Sequence, residues 1–315
     1  MSRLSHHHPQ PRTTRLALAA VSALAFVALA GTTTAALADG TLDKIKSSGS
    51  ITIGHRDASI PFSYLDDKQQ PIGYSMDLCA KIVGAVKADL KMPDLKVVYQ
   101  PVTSATRIPL LANGTIDLEC GSTTNNAERQ KQVGYAVTTF VTANRFVSKK
   151  ADNLKALTDL KGKTVVSSSG TTNIKQITEL NASQNLDLNI LAAKDHAESF
   201  LMVDTGRASA FVMDDILLAG LVASSANPGQ WQVSADALSV EPYGIMVRKD
   251  DPTFKKMVDG AVMALMKSGE INTIYTKWFQ QPIPPKGINL NIPMSDALKK
   301  VIAAPTDSPD PAAYK

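Results

Sequence analysis

The sequence is poor in cysteine, because Cys79 and Cys120 are the only two in 315 residues. A fold held together by several disulfides is therefore excluded, and at most one bridge can form. In an oxidising compartment the two residues either pair with each other or pack separately as buried thiols. Cys79 falls in a predicted helix and Cys120 at the end of a predicted strand, and both possibilities stay open at this point.

The chain also lacks an apolar run long enough to cross a membrane. Residues 16–30 are mostly apolar, but this run is shorter than the about 20 residues that a spanning helix needs. Three arginines precede it and Ala-Leu-Ala follows at residues 36–38, which is the pattern of a secretory signal peptide cleaved before Asp39. The sequence has no cysteine near the predicted cleavage site, and we therefore expect no lipid anchor. We therefore predict a signal peptide at residues 1–38 and a periplasmic mature protein.

A large excess of one charge is lacking as well. The formal net charge is +4, and removing the three arginines of the predicted signal peptide lowers it to +1. A nearly neutral mature protein carries no electrostatic sign of binding to nucleic acid or to a membrane surface. We expect neither kind of partner.

Common catalytic and nucleotide-binding motifs are absent from the sequence. It contains no Gly-x-Ser-x-Gly, no His-Glu-x-x-His and no Gly-x-x-x-x-Gly-Lys-Ser/Thr. A Ser/His/Asp set can be drawn from Ser122, His196 and Asp214, but unlinked residues of these types occur in most chains. The sequence therefore favours a binding protein over an enzyme, and we expect neither a metal nor a cofactor.

The most informative stretch that is present covers residues 116–129, Ile-Asp-Leu-Glu-Cys-Gly-Ser-Thr-Thr-Asn-Asn-Ala-Glu-Arg. Its start predicts a short buried strand, its middle is rich in hydroxyls, and Asn125 or Asn126 can cap a helix. A strand that turns into a helix presents backbone N–H groups, and Arg129 adds a full charge. Such a site suits a carboxylate or a phosphate. The other interpretation is a well-capped helix with a surface arginine.

Strands alternate with helices along the chain, which predicts an α/β fold with mostly parallel sheets. In such sheets ligands bind beyond the carboxyl ends of the strands. Arg56, Ser122 and Thr124 fall at such ends, and Arg107 lies near a helix start on the same side. Because these residues come from three separate segments, we expect them to converge on one site.

Two long β-rich runs, residues 135–147 and 239–247, predict two crossings between a first lobe and a second lobe inserted into it. Two lobes joined in this way form a hinged clamp that closes over a ligand. The inserted part repeats the hydroxyl-rich turn, with Ser-Gly-Thr-Thr at residues 169–172 before a helix. We predict lobe 1 at residues 39–142 and 243–302, lobe 2 at residues 143–242, and a flexible tail at residues 303–315.

The charged residues at these positions indicate the charges of the ligand. Arginine binds a carboxylate through two parallel hydrogen bonds, whereas an ammonium group requires an acid. Three arginines against Asp214 or Asp215 suit a ligand with two carboxylates and one ammonium, which is glutamate or aspartate. Neighbouring strand residues point to opposite sides, so only one aspartate can face the ligand, and we favour Asp214. His196 opens a helix, where the neutral imidazole is favoured.

With these residues the chain resembles the periplasmic solute-binding proteins of polar amino-acid ABC importers (family 3), and more narrowly their glutamate/aspartate-binding group. The resemblance covers residues 41–302. The motifs that carry it are, in chain order, Gly54-His55-Arg56, Pro61-Phe62-Ser63-Tyr64, Gly73-Tyr74-Ser75-Met76-Asp77, Thr103-Ser104 with Arg107, the run from Cys120 to Arg129, Ser169-Gly170-Thr171-Thr172, Ala193-Lys194-Asp195-His196, Met213-Asp214-Asp215 and Lys277-Trp278-Phe279.

The resemblance implies a two-lobed periplasmic-binding-protein fold of type II and a role for each site residue. Arg129 with Thr124 would bind the α-carboxylate, and Ser122 with Asp214 the ammonium group. Many relatives that bind neutral or basic amino acids carry an acid where Arg56 stands, so this arginine points to an acidic ligand. The resemblance does not extend to Cys79 and implies no disulfide. The residues expected around the side-chain carboxylate are Arg56, Ser104, Arg107, Thr172 and His196, and we include Thr171 among the ligand-binding residues.

The expected function is extracytoplasmic binding of L-glutamate and L-aspartate by a monomer, with delivery to the transmembrane permease subunits of an ABC importer. One alternative is a dehydratase-like enzyme on the same fold, acting on a carboxylated small molecule with His196 or Glu119 as general acid or base. Another is a ligand sensor that docks on a receptor. The sequence does not rank glutamate against aspartate.

Overall fold

A computed structural model describes residues 40–315, and the predicted signal peptide at residues 1–38 lies outside them. Of the helices in this part of the chain, none is both long and apolar enough to cross a bilayer. The α-helices described are α1 (Thr41–Ser48), α2 (Tyr74–Leu90), α3 (Arg107–Ala112), α4 (Thr172–Gln184), α5 (His196–Asp204), α6 (Asp215–Ser224), α7 (Pro252–Ser268), α8 (Glu270–Phe279) and α9 (Asp296–Ala303). The strands are β1 (Ser50–His55), β2 (Ala58–Ser59), β3 (Ser63–Leu65), β4 (Pro71–Ile72), β5 (Lys96–Pro101), β6 (Leu118–Glu119), β7 (Val133–Tyr135), β8 (Phe140–Lys149), β9 (Thr164–Ser168), β10 (Asn189–Ala193), β11 (Ala210–Asp214), β12 (Trp231–Val233), β13 (Ser239–Tyr243) and β14 (Met246–Arg248).

Two mixed sheets form the centres of two lobes. The first has the order β5-β1-β6-β14-β7, and the second has the order β10-β9-β11-β8-β12 with β13 also paired to β8. In the first sheet β1 is parallel to β5 and β6, and β14 is antiparallel to both of its neighbours. In the second sheet β9 is parallel to β10 and β11, and β8 is antiparallel to its partners. The carboxyl ends of the parallel strands β6 and β9 are followed by hydroxyl-rich loops at residues 121–124 and 169–172.

The chain crosses between the sheets twice, between Tyr135 and Phe140 and again between Tyr243 and Met246. The single strand that we predicted over residues 135–147 is therefore two strands, β7 and β8. They belong to different sheets, because the chain changes sheet over residues 136–139. Strand β8, which follows the first crossing, pairs with β13, which precedes the second. Phe140 lies opposite Tyr243 in this antiparallel register.

Aromatic side chains fill the core beside these crossings. The Phe62 ring packs edge-to-face on Phe140, with 4.9 Å between ring centroids, and its centroid lies 5.2 Å from that of Tyr243. Phe62 and Tyr64 are each 1% exposed and belong to the hydrophobic core, and neither lines the cavity between the lobes. The aromatic packing therefore ties lobe 1 to the first residue of β8 and the last residue of β13.

The two cysteines form a disulfide between α2 and the residue after β6, which settles the alternative that the sequence left open. A hydrogen bond of 2.7 Å from Ser75 Oγ to Gly121 O makes a second link between the same two segments. The chain that follows β6 is therefore attached to α2 at two adjacent points.

The C-terminal residues pack against the body of the protein, in contrast to the flexible tail that we predicted from their proline and aspartate content. Tyr314 is 3% exposed, and its hydroxyl lies 2.8 Å from Thr138 Oγ1 in the first crossing. Thr138 N donates to Thr306 O at 2.8 Å. The apolar ring of Tyr314 and these backbone bonds hold the segment, and composition alone does not reveal them.

Candidate functional site

Two hydroxyl-rich loops face each other at the carboxyl ends of the sheets. The first hydroxyl loop, residues 121–124, follows β6 in lobe 1, and the second hydroxyl loop, residues 169–172, follows β9 in lobe 2. A small cavity lies between the lobes at this point. It is lined by Ser104, Arg107, Ser122, Thr124, Thr171, Thr172, Asn173, His196, Met213, Asp214 and Leu217.

Eight of the ten predicted site residues line this cavity, and Arg56 and Arg129 stand directly behind its wall. Arg56 Nη2 lies 3.4 Å from Nε2 of the cavity residue His196. Arg129 Nη1 donates to the backbone oxygen of Thr124 at 2.9 Å. The residues predicted from separate strand ends are therefore brought together by the fold.

Local sequence explains how the lobe 2 residues are placed. Thr171 is the N-cap of α4, and its side chain accepts from Ile174 N at 3.2 Å. Asp195 is the N-cap of α5 and accepts from Glu198 N at 2.9 Å. Such caps fix the first turn of a helix, so Thr172 and His196, each the first residue of its helix, are held at the cavity.

In lobe 1 the predicted helix at Asn125 or Asn126 is wrong. Only a 3₁₀ turn forms, at Arg129–Lys131, before β7 begins. Asn125 Nδ2 donates to Asp307 O of the C-terminal segment at 2.8 Å, and its side-chain oxygen accepts from Gln130 Nε2 at 2.9 Å, so its side chain caps no helix. The first hydroxyl loop therefore has no helix dipole behind it, and its positive charge comes from guanidinium groups.

Three buried arginines supply that charge, with exposures of 2%, 2% and 7% for Arg56, Arg107 and Arg129. Arg107 Nη1 donates to Thr123 Oγ1 and to Ser122 O. Burial, followed by the positive charge of Arg129, lowers the pKa of Arg107 to about 9. Burial also lowers the pKa of Arg56, and the negative charge of Glu119 opposes that shift. The cluster is thus costly to keep charged unless anionic groups lie beside it.

Several polar atoms in this cluster have no hydrogen-bond partner within residues 40–315. They include Arg56 Nη1, Arg107 Nε, Ser104 Oγ and Ser122 Oγ. A buried donor without a partner costs about 1–3 kcal/mol. Such atoms around one cavity indicate that a polar ligand completes their hydrogen bonds.

The opposite wall is acidic. Asp214 Oδ1 accepts from Asn173 Nδ2 at 2.7 Å, and Oδ2 accepts from the Tyr243 hydroxyl. Burial, followed by the negative charge of Glu241, raises the pKa of Asp214 to about 7. Asp215 is already the first residue of α6, and its carboxylate accepts from Thr142 and Arg145. Asp214 lines the cavity and Asp215 does not, but the strand ends at Asp214, so the alternation on which we based this choice does not reach Asp215.

His196 is 1% exposed, and burial with the charge of Arg56 holds its pKa well below its usual value. A guanidinium only donates, so His196 Nε2 accepts from Arg56 and the proton lies on Nδ1. Nδ1 then donates to Ser168 Oγ at 2.8 Å, and Ser168 Oγ lies 2.9 Å from Ser199 Oγ. The histidine is neutral, and its ring is fixed from both sides.

Sequence reasoning missed several residues of the site. Asn173, Met213 and Leu217 line the cavity, and Glu241 and Tyr243 act beside Asp214. Thr172 Oγ1 donates to Glu241 Oε2 at 2.9 Å. Asn173 follows the second hydroxyl loop directly and could have been found from that position. Glu241 and Tyr243 lie in a crossing strand, where no local pattern distinguished them from core residues.

The chain is similar in sequence and in fold to known proteins. The sequence profile of the bacterial extracellular solute-binding proteins, family 3, matches residues 51–281. The chain is 58% identical over 269 residues to the L-glutamate/L-aspartate-binding protein of Pseudomonas aeruginosa, covering 85% of this chain and 89% of that one. It is 47% identical over 298 residues to the glutamate/aspartate import solute-binding protein of Escherichia coli K12, covering 95% and 97% of the two chains. Among solved structures, an ancestral amino acid-binding protein described as a precursor of cyclohexadienyl dehydratase matches with a TM-score of 0.64 and 30% identity, covering 76% of this chain and 100% of that one.

Proposed function

Since this chain belongs to the bacterial extracellular solute-binding proteins of family 3, we propose that its cavity binds L-glutamate and L-aspartate through the arginine cluster of lobe 1 and Asp214 of lobe 2. Its fold is the two-lobed, type II periplasmic-binding-protein fold. The chain is a solute-binding protein of an ABC importer for these amino acids and is not an enzyme.

The single observation that supports the binding site most strongly is the division of charge across the cavity. Arg56, Arg107 and Arg129 lie on one side, and Asp214 with Glu241 on the other. Two ligand carboxylates would be neutralised on the first side and one ammonium on the second.

Each predicted residue then has a role in this proposal. Arg129 and Thr124 take the α-carboxylate, and Ser122 and Asp214 take the ammonium group. Thr171 lines the cavity from the second hydroxyl loop, with its hydroxyl donating to Ser168 O at 2.7 Å. The side-chain carboxylate is bound by Arg56, Ser104 and Arg107, with His196 beside them. Thr172 offers it the backbone N–H at the start of α4, because its hydroxyl donates to Glu241. The unpaired atoms Arg56 Nη1, Arg107 Nε and Ser104 Oγ are the donors that the side-chain carboxylate would satisfy.

The geometry around His196 does not favour the dehydratase alternative. A general base needs a nitrogen within reach of the substrate, and His196 Nε2 is directed at Arg56. Glu119, the other candidate, is fully buried and faces Arg107 and Thr123.

We further propose that the protein acts as a periplasmic monomer that delivers its ligand to the permease, after removal of residues 1–38. Size-exclusion chromatography with light scattering on the secreted protein tests the monomer. Mass spectrometry of the same sample tests the cleavage before Asp39.

Titration calorimetry of the mature protein with glutamate, aspartate, glutamine and arginine tests the ligand assignment. We expect both acidic amino acids to bind more tightly than glutamine, and arginine to bind least. Tighter binding of glutamine than of both acids would reject the assignment.

A further inference from the structure

Glu119 is a buried acid inside the arginine cluster that the proposed ligand contacts leave unused. It ends β6, is 0% exposed, and its Oε1 lies 3.9 Å from Arg107 Nη1. Its Oε2 accepts from Thr123 Oγ1 at 2.6 Å, and Thr123 Oγ1 in turn accepts from Arg107. The carboxylate therefore forms an ion pair with Arg107 and is also linked to it through the hydroxyl of Thr123.

Gly121 keeps the space that this carboxylate occupies. A Cβ placed on Gly121 would lie 2.2 Å from Glu119 Oε1 and 3.0 Å from Arg56 Cγ. Both side chains therefore pass over the same backbone position, and Glu119 reaches two of the three arginines. The glycine of the first hydroxyl loop therefore makes room for this acid.

The charge of the arginine side follows from this arrangement. Three buried guanidinium groups and one buried carboxylate leave two positive charges, which equals the number of carboxylates in glutamate or aspartate. Asp57 and Asp195 also act on Arg56, but neither of them is buried. Without Glu119 a third buried guanidinium would face the cavity uncompensated, and a cavity of that charge attracts any small anion.

We propose, on the basis of the proposed function, that Glu119 is the internal counter-ion of the site. It sets the positive charge of the arginine cluster at two, and the site is thereby specific for an amino acid with two carboxylates over other anions. Glu119 is a specificity-determining residue in this sense, and it acts through Arg56 and Arg107 without contacting the ligand.

The test is Glu119→Gln, which removes the charge and keeps the shape and the acceptor for Thr123. Glutamate is titrated at low and high chloride, and again with sulfate as competitor. The matched control is Asp117→Asn, because Asp117 is also buried at 2% exposure but pairs with Lys44 away from the arginines.

In the wild type and in Asp117→Asn, we expect chloride and sulfate to change the dissociation constant for glutamate by less than about threefold, because buried charges are screened little. In Glu119→Gln we expect at least a tenfold loss with added anion, on the order of the effect of an uncompensated buried charge. An anion dependence equal to that of the wild type would overturn the inference.

If Glu119→Gln does not fold, the double variant Arg56→Gln/Glu119→Gln decides the question, because it returns the charge to two. Recovery of a cooperative thermal transition supports the counter-ion role, whereas failure to fold in both variants contradicts it. A wild-type protein that binds neither glutamate nor aspartate would reject the proposed function itself. If the wild type binds glutamate and Glu119→Gln shows the same anion dependence as the wild type, this inference alone is rejected.

Discussion

Neither of the two hydroxyl loops has room for a side chain on its glycine, but the obstructing atoms differ. A Cβ on Gly121 of the first loop would meet Glu119 and Arg56, which belong to the same lobe. A Cβ on Gly170 of the second loop would lie 2.6 Å from Ala105 Cα, in the other lobe. The first loop therefore arranges charge within lobe 1, and the second allows the backbones of the two lobes to meet.

Arg129, which lies outside both loops, bonds the second one from lobe 1, with Nη2 donating to Gly170 O at 3.1 Å. Arg129 also bonds Thr124 in the first loop, so a single side chain touches both. Apart from this shared arginine, charge selection and lobe closure depend on different residues, and variants in one loop should leave the other property largely unchanged.

Loss of an arginine behind the first loop should have the largest effect. Arg107→Gln removes one of two charges that balance the ligand, and we expect glutamate binding to weaken by about 2–5 kcal/mol. Glutamine, with one carboxylate fewer, should lose less. Calorimetry with both ligands measures the difference, and the exposed Arg207 provides the control Arg207→Gln. Equal losses for glutamate and glutamine would show that Arg107 does not select charge.

Blocking the contact of the second loop should have the next largest effect. Gly170→Ala brings a methyl group into the Ala105 backbone and strains a residue with φ of +76°. We expect an affinity loss of roughly 1–3 kcal/mol, in the range of overpacking and backbone strain, with equal losses for glutamate and glutamine because closure does not depend on ligand charge.

Gly162→Ala is the matched control for this variant. Gly162 has φ of +72°, and no described atom lies within 4 Å of its Cβ position. It should cost folding stability but leave affinity unchanged in the same calorimetric titration. Normal affinity in Gly170→Ala, or a comparable loss of affinity in Gly162→Ala, would show that the second loop does not control lobe closure.

A smaller effect should come from pH, through the pKa of Asp214, which burial and the charge of Glu241 raise from 3.8 to about 7. A carboxylate is needed for the ligand ammonium, so glutamate affinity should fall as pH drops below about 7, by at most roughly tenfold per pH unit. Calorimetry between about pH 5.5 and 8, where the ligand carboxylates stay ionised, measures this dependence. Asp214→Asn should remove it, and an affinity that rises toward acid would contradict the assignment.

The stability of the unliganded protein should change in the opposite direction. Between pH 3.8 and about 7 the folded protein holds a proton on Asp214 that the unfolded chain releases. The stabilising contribution is therefore present at low pH and lost as pH rises toward 7. Thermal unfolding of wild type and Asp214→Asn at matched pH values measures the part that belongs to this residue.

The smallest effect on binding should come from the disulfide, which supports the first loop alone. Its closure spans 41 residues, and removing such a bridge costs about 2–4 kcal/mol of unfolding free energy. We expect the variant with Cys79→Ser and Cys120→Ser to lose this stability but less than about tenfold in affinity, because the Ser75–Gly121 bond remains. Urea unfolding and calorimetry measure the two quantities. A loss of affinity as large as that of Arg107→Gln would show that the bridge, and not the arginines, dominates the first loop.

The sequence predicted the positions that depend on strand ends, because the carboxyl ends of parallel strands can be located from alternation of elements alone. Arg56, Ser122 and Asp214 were found in this way. The helix predicted at Asn125 or Asn126 failed, although Asn126 Oδ1 accepts from Arg129 N at 2.9 Å as a cap would. Only a 3₁₀ turn follows this cap, and Asn125 bonds the distant Asp307. A long-range contact overrode the local preference.

Other parts of the site depend on pairings that no local pattern contains. Glu119 is a buried acid in a two-residue strand, and its partners are known only when Arg107 is folded beside it. Tyr243 reaches Asp214 across the return crossing. The pairing of Cys79 with Cys120 likewise required the packing of α2 on β6.

A crystal structure of residues 39–315 with L-glutamate tests the central claim most directly. The account predicts one ligand in the cavity between the hydroxyl loops, with both carboxylates bonded to guanidinium groups of Arg56, Arg107 and Arg129 and the ammonium group at Asp214. Guanidinium groups turned to solvent, or a ligand whose ammonium lies among the arginines, would contradict it.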